Sequence, residues 1–173
     1  SNGIDDEALL SRYPVEDLEL RPLYGAFRTV LRATVTHPTG PVQVFITHLS
    51  SRSDRGEVAC GPNCPPECNV QNLKSKRDCQ AVQLGEMVMQ SHPADRVTFV
   101  TGDLNLTPTS FGYRHFVQLG WMDSYAAAGN AECDPASGIG CTSGRADEDL
   151  ECLESPSSRG LERIDYVFVV PHA

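Results

Sequence analysis

The 173-residue sequence has no apolar stretch long enough to span a bilayer, and none that resembles a signal peptide. Its single Trp, at 121, sits in a helix-to-strand connection, and no Trp/Phe cluster announces a membrane-inserting surface. Basic residues are also scarce: 14 Lys and Arg face 23 Asp and Glu, a net charge of −9. That balance argues against a sequence-independent grip on nucleic acid, which rests on basic patches. It does not argue against a site that holds divalent cations, which is acidic until loaded. There is no internal repeat. No initiator Met opens the chain, and it stops at Val170-Pro171-His172-Ala173, as an excerpt from a longer protein would. With 40% hydrophobic and 21% charged residues, disorder is excluded, and the length fits one domain over residues 1–173.

Cysteine is abundant. Four of the seven lie in "CGPNCPPECNVQNLKSKRDC", at 60, 64, 68 and 79. The others, at 133, 141 and 152, fall in a Gly-, Ser- and acid-rich stretch. Both clusters lie in loop-like segments, a cysteine-rich insertion at about 52–72 and a long loop at about 129–160. Disulfides secure such chain where it has little core of its own. The C-x3-C-x3-C spacing leaves a zinc site as the alternative, although zinc knuckles generally use tighter C-x2-C pairs. Disulfides imply a secreted or periplasmic setting.

Along the chain, Pro14 breaks any helix and favours extended backbone at Arg12 and Tyr13. "FRTVLRATVT" from Phe27 to Thr36 alternates as a strand, "HPTGP" turns, and "VQVFITHL" forms a second strand, together an antiparallel hairpin. Period two from Val42 through Val44 and Ile46 places His48 on the same stripe. Leu73, Arg77, Ala81, Leu84 and Val88 follow helical spacing, and Pro93 closes that helix. "RVTFVTG" is a continuous apolar strand. Thr107-Pro108 is read as the N-cap and first residue of a short helix that ends at Gly120. "RIDYVFVV" is a last strand, with Ile164, Tyr166, Phe168 and Val170 on one face and Asp165 on the other. Strand–strand–helix–strand–helix–loop–strand describes mixed sheet with helices packed outside it.

Polar groups at strand ends carry the chemistry. Taken singly, His48 reads as a hydrogen-bonded core histidine, Asp103 after Gly102 as turn chemistry, and Asn105-Leu106-Thr107 as a glycosylation pattern. Asp165, between Ile164 and Tyr166, requires a partner if it is buried. Together, two carboxylates, a carboxamide and an imidazole suit metal-assisted cleavage of a phosphodiester. A metal offsets phosphoryl charge, a carboxylate orients or deprotonates water, and neutral or cationic donors hold developing negative charge.

"FITHLSS", "TGDLNLTP" and "ERIDYVFV", in that order, resemble consecutive motifs of the endonuclease/exonuclease/phosphatase superfamily. "LLSRYPV" resembles its Ser-Arg-Tyr-Pro segment, and "RDCQAVQLGEMV" resembles the Arg-x-x-Gln helix after its histidine strand. The resemblance runs from about Leu10 to Val170. It implies a DNase I-like four-layer α/β/β/α sandwich of two mostly antiparallel sheets, incomplete here at both ends. It implies that Asp103 orients or deprotonates water or binds a metal. Asn105 would hold phosphate, nucleophile or metal, and His48 would donate to a phosphate oxygen. Asp165 would buttress a second histidine, and Arg12 would approach the substrate phosphate. The cofactor implied is Mg²⁺, or Mn²⁺ or Ca²⁺. The partner implied is a phosphodiester substrate: nucleic acid, a phospholipid headgroup or a small phosphoester, with no obligate protein partner. A secreted nuclease or phosphodiesterase comes first, then a sphingomyelinase of the phospholipase C type, then a non-catalytic binding protein on the same scaffold. The family's metal-binding Glu and its Ser-Asp-His motif are not found in residues 1–173. The chain alone is therefore expected to turn over phosphoesters weakly, and robust metal-dependent turnover by residues 1–173 would overturn that expectation.

Overall fold

The computed structural model describes residues 7–25, 27–51, 56–61, 63–70, 73, 75–91, 93, 96–143 and 161–171. Cys152 and most of the long loop lie outside them. Six strands form one sheet: β1 (Val15–Pro22), β2 (Thr29–His37), β3 (Gly40–Thr47), β4 (Val97–Asp103), β5 (Met122–Asp123) and β6 (Asp165–Val170), in the order β1-β2-β3-β4-β6-β5. Only β3 and β4 run parallel; the other neighbours are antiparallel. The helices are α1 (Pro66–Val70), α2 (Lys76–Ser91), α3 (Phe111–Gln118) and α4 (Ser124–Ala127).

The expected hairpin is present, with β2 and β3 registered from Val30 opposite Thr47 to His37 opposite Gly40. It starts later than its alternation suggests. Phe27 is 72% exposed with φ +66°, because the chain turns tightly between β1 and β2 before pairing begins at Thr29. β1 was not expected as a strand. It is an acidic edge strand whose pairing is broken by a bulge between Glu16 and Glu19, and edges of this kind carry little apolar alternation.

One face of the sheet carries Val30, Phe45, Val100 and Phe168, which pack with Ala81, Leu84 and Val88 of α2 and Phe116 of α3. Trp121 stacks on Phe116 with ring centroids 4.5 Å apart and closes this core at the exit of α3. Each fully buried side chain of this size contributes about 1.5–3 kcal/mol of transfer free energy. The other face, with Val42, Val44, Ile46, Phe99 and Val169, is only half-buried. The described residues thus form a sheet and its helical layer, two layers of the expected four.

One local expectation is corrected. Thr107-Pro108 does not begin α3: Ser110 is the N-cap, its Oγ accepting the Tyr113 N–H. Pro108 instead sits inside the turn closed by Ser110 N–H to Thr107 O, and proline suits the second position of a turn as well as the first position of a helix. Gly120, at φ +84°, follows the cap residue Leu119 as expected. Six of the cysteines pair as the expected disulfides, Cys60–Cys64, Cys68–Cys79 and Cys133–Cys141, and the sulfurs of the first two pairs lie within 4.8 Å of one another.

α2 and α3 meet closely at Gly85, where an added Cβ would lie 3.0 Å from His115 Nε2. That nitrogen is buried without a hydrogen-bond partner. Burial therefore holds the imidazole below the ordinary histidine value of 6.5. A depressed folded value means the neutral ring contributes stability above about pH 6.5 and loses it as pH falls through the folded value. His115→Gln, neutral throughout, should flatten the fall in urea midpoint between pH 8 and pH 5. An unchanged slope would exclude His115 as its source.

Candidate active site

The site forms where β3 and β4 end side by side. Gly102 makes it possible: φ is +141°, and a Cβ there would lie 1.9 Å from the Thr47 carbonyl oxygen. No side chain fits between the strands at that point. The chain then turns so that Leu49 N–H donates to Asp103 O at 3.0 Å and Leu104 N–H to Ile164 O at 2.9 Å. Asn105 takes a left-handed conformation, φ +50°, which asparagine tolerates better than most residues. Its backbone N–H donates to Asp103 Oδ1 at 2.9 Å, and its Nδ2 donates to Leu49 O at 2.9 Å. The turn reading of Gly102-Asp103 is thus correct, and the turn is what aims both residues.

His48 follows β3 and is half-exposed, with Nε2 3.4 Å from Asp103 Oδ2. It is not a core histidine, because the stripe Val42, Val44, Ile46, His48 belongs to the half-buried face of the sheet. Gln43, Phe45 and Thr47 are the buried ones. Below it, fully buried Gln80 of α2 accepts from Ser50 N–H at 2.9 Å. Its Nε2 donates to Ser50 Oγ at 3.0 Å and Tyr24 O at 2.7 Å. The glutamine of the Arg-x-x-Gln helix therefore holds the backbone immediately after His48.

Asp165 opens β6 directly opposite Asp103 in the antiparallel register. It is exposed, so it does not pay the burial cost that a partner would have to offset. Its backbone N–H donates to Thr142 Oγ1 at 3.2 Å. The Asp103 carboxyl lies above its ordinary value of 3.8, first through burial and then through the Asp165 charge; the Asn105 N–H, His48 and Arg28 pull the other way.

Arg12 is not brought to this cluster. Val15 pairs with Val35 and Tyr13 packs edge-on against His37 at 4.7 Å, so Arg12 lies at the hairpin end of the sheet. The strand length of about 25 Å separates that end from Thr47 and His48. Arg28, just before β2, occupies the end of the sheet near Asp103 instead, is 9% exposed, and acts electrostatically on Asp103. Its only sequence signal was a cation at the start of an alternating strand. Arg163 is buried and holds Asp123 at 2.8 Å and Glu132 at 2.6 Å, and it lies over the Tyr166 ring at 4.5 Å.

Two cavities flank the cluster. One, of about 460 Å³, is bounded by Asp103, Asp165, Thr142, Tyr125, Tyr166 and Val167 among others. The other, of about 420 Å³, lies beyond Asn105 and is strongly polar.

A sheet that delivers an imidazole, a carboxylate and a carboxamide from separate strand ends, with a second carboxylate in register, defines a class of mixed α/β protein. The chain belongs to the Endonuclease/Exonuclease/phosphatase family, whose sequence profile matches residues 8–173. The solved structure of an endonuclease/exonuclease/phosphatase from Beutenbergia cavernae is similar at 22% identity and TM-score 0.54, over 93% of this chain and 39% of that one. TDP2 from D. rerio, complexed with a single-strand DNA product, is similar at 17% identity and TM-score 0.56, over 90% of this chain and 52% of that one. The human Nocturnin catalytic domain, with bound sulfate, is similar at 15% identity and TM-score 0.50, over 94% of this chain and 50% of that one. These likenesses show the fold, and the chain spans about half or less of the length of each. No curated protein matches it by sequence.

The raised Asp103 value has a thermodynamic consequence. A carboxyl raised by folding contributes stability below its ordinary value of 3.8 and loses it as pH rises through the folded value. In metal-free buffer at pH 7, Asp103→Asn should therefore melt higher than the parent, with the gap closing towards pH 4; an equal or lower midpoint at pH 7 would contradict this. Gly102→Ala should cost about 3 kcal/mol or more, read from urea unfolding, because both conformation and space forbid a Cβ.

Proposed function

We propose that this chain carries the chemical centre of a divalent-metal-dependent hydrolase of phosphoester or phosphodiester bonds. The observation that carries it is the convergence of His48, Asp103 and Asn105 from two separate motifs, held by Asn105 Nδ2 on Leu49 O. Family membership supports the same reaction class.

The donor set fits the implied metal. Asp103 offers a carboxylate whose charge is disfavoured by burial and by Asp165, so a cation there would relieve both. Asn105 Oδ1 has no protein partner among the described residues. Hard oxygen donors of this kind suit Mg²⁺, Mn²⁺ or Ca²⁺, and Mg²⁺ keeps several waters when few protein ligands are present. Asp103 and Asn105 would hold it, and it would supply charge neutralisation at the phosphoryl oxygens.

The remaining chemistry belongs to the chain. Asp103, aimed by the turn at Gly102, would orient the attacking water or take its proton through Oδ2. His48 Nε2, 3.4 Å away, can turn from that carboxylate to donate to a non-bridging phosphate oxygen. Arg28 stabilises negative charge at the same end of the sheet. Asp165 raises Asp103 and is placed to fix a second group from across the site. Arg12 has no part in this scheme.

A secreted or periplasmic nuclease or phosphodiesterase agrees with the three disulfides. Among the described residues no helix is long and apolar enough to cross a membrane. The D. rerio TDP2 complex with a DNA product supports nucleic acid as one substrate class to assay.

The test offers plasmid DNA, RNA, sphingomyelin and bis(p-nitrophenyl) phosphate with Mg²⁺, Mn²⁺ or Ca²⁺, to the chain and to a longer parent containing it. Asp103→Ala should lower kcat by about 10²–10⁴-fold on whichever substrate is cleaved. EDTA should abolish turnover and added metal restore it. If Asp103→Ala matches the parent on every substrate hydrolysed, the assignment is wrong.

A further inference from the structure

Cys60, Cys64, Cys68 and Cys79 stand closer together than two separate bridges require. All four sulfurs lie within 4.8 Å of one another, although they are paired as Cys60–Cys64 and Cys68–Cys79. Disulfides that only tie down chain need not converge, because each acts on its own loop. Four thiolates around one soft divalent cation must converge. A tetrahedral zinc with four Zn–S bonds of about 2.3 Å sets its sulfurs about 3.8 Å apart. From the observed spread, the unbonded sulfurs need to close by no more than about 1 Å. The bonded pairs have Cα–Cα separations of 5.3 and 5.2 Å, so once cleaved their sulfurs can part by side-chain rotation with the backbone in place.

The backbone around the cluster is also held by bonds other than the bridges. Cys64 N–H donates to Gly61 O at 2.9 Å, and Gly61 N–H donates to the Tyr24 hydroxyl at 3.2 Å. Asn69 Nδ2 donates to Cys64 O at 3.0 Å and so joins α1 to the loop before it. Gln83 Nε2 donates to Glu67 Oε1 at 3.0 Å and joins α1 to α2 beside Cys68. Cys79 stands near the start of α2, where Asp78 N–H donates to Ser75 Oγ at 3.0 Å. That end of a helix favours negative charge. Cys68 and Cys79 are buried while Cys60 and Cys64 are half-buried, so the cluster is reached from the Cys60–Cys64 side.

We propose that these four cysteines form a redox-convertible metal site, two disulfides when oxidised and a tetrathiolate zinc site when reduced. The co-reactant is a dithiol reductant, whose thiolate attacks the half-buried Cys60–Cys64 bond first. Two dithiol molecules supply four electrons and four protons, both S–S bonds break, and the reductant leaves as two disulfides. One Zn²⁺ then replaces the four thiol protons, forming four Zn–S bonds and releasing four H⁺. Two molecules of a disulfide oxidant reverse the sequence and expel the ion. Hard cations such as Mg²⁺ prefer oxygen, so this site is distinct from the donors at Asp103 and Asn105. Because Cys79 precedes Gln80, either state keeps α1 on α2 and Gln80 against Ser50. The site goes beyond the phosphoester-hydrolase reading and does not depend on it.

The test compares the oxidised 173-residue chain with the same chain reduced by dithiothreitol and desalted under nitrogen. Each is titrated with Zn²⁺ and, as a spectroscopic probe, with Co²⁺. The reduced chain should take up one zinc at the cluster, and cobalt should give the thiolate charge-transfer and visible d–d bands of a tetrahedral tetrathiolate site. The oxidised chain should show neither band. Iodoacetamide labelling of the reduced, zinc-loaded chain should spare Cys60, Cys64, Cys68 and Cys79, and EDTA should restore their labelling without changing that of Cys133, Cys141 and Cys152. Cys60→Ser with Cys64→Ser keeps the buried Cys68–Cys79 bridge for folding. After reduction that variant should bind zinc about 100-fold or more weakly, since losing two ligands costs more than losing an outer partner. A reduced chain that takes up no zinc, a cobalt spectrum without thiolate bands, or zinc that protects other cysteines would each overturn the proposal. Undiminished affinity in the Cys60→Ser, Cys64→Ser chain would overturn it as well.

Discussion

The contact between Gly102 and the Thr47 carbonyl is the constraint on which the rest of the site depends. Two parallel strands can end side by side in many ways, but here they close until no Cβ fits between them. That approach lets Leu49 reach Asp103 O, and it lets Asn105 return a side-chain bond to Leu49 O. The backbone after His48 and the backbone after Gly102 become one hydrogen-bonded unit. Gln80 joins it from the helical layer through Ser50, so the position of His48 relative to Asp103 is inherited from α2 packing on the sheet. A site built this way is as rigid as the core beneath it, which is what positional catalysis requires.

The electrostatics around that unit divide into two regimes. Arg163 is a buried cation: two carboxylates and two tyrosine rings surround it, and it anchors the start of β6 against α4 and the segment around Glu132. Breaking such a pair exposes an uncompensated buried charge and is costly. At Asp103 the balance runs the other way. Burial and Asp165 oppose its charge more strongly than Asn105, His48 and Arg28 support it. The fold therefore disfavours the charge at one carboxylate and favours it at another, and the disfavoured one stands at the end of β4 opposite Asp165.

Much of this was legible in residue order. β2, β3, β4 and β6 announced themselves through alternation or continuous apolar runs, and the motifs around His48, Asp103 and Asp165 identified the family before any geometry. What the order could not show was direction and distance. His48 belongs to a tidy apolar stripe, yet that stripe lines the half-buried face, because helical packing selected Phe45 and its neighbours instead. Arg12 sits in a motif-like segment, yet antiparallel pairing of β1 carries it to the far end of the sheet, and Arg28 arrives near Asp103 by the same geometry. β1 and β5 escaped notice because an edge strand and a two-residue strand have almost no periodicity to read. Ser110 lost to Thr107-Pro108 because a turn and a helix start share the same residue chemistry.

The disulfides act on the segments that flank the sheet rather than on the sheet itself. The polar cavity is walled largely by loop residues, which have few apolar neighbours to hold them. Cys68–Cys79 ties α1 to the first turn of α2, two residues beyond Arg77, and Cys60–Cys64 closes the loop that begins near Glu57. Cys133–Cys141 ends two residues before Ser143. Cys68 and Cys79 are fully buried, and each of the three links lies within three residues of a residue that lines the polar cavity. Core packing already determines where His48 and Asp103 stand, so a bridge there would add little. Loops with few apolar contacts of their own gain most from losing unfolded freedom.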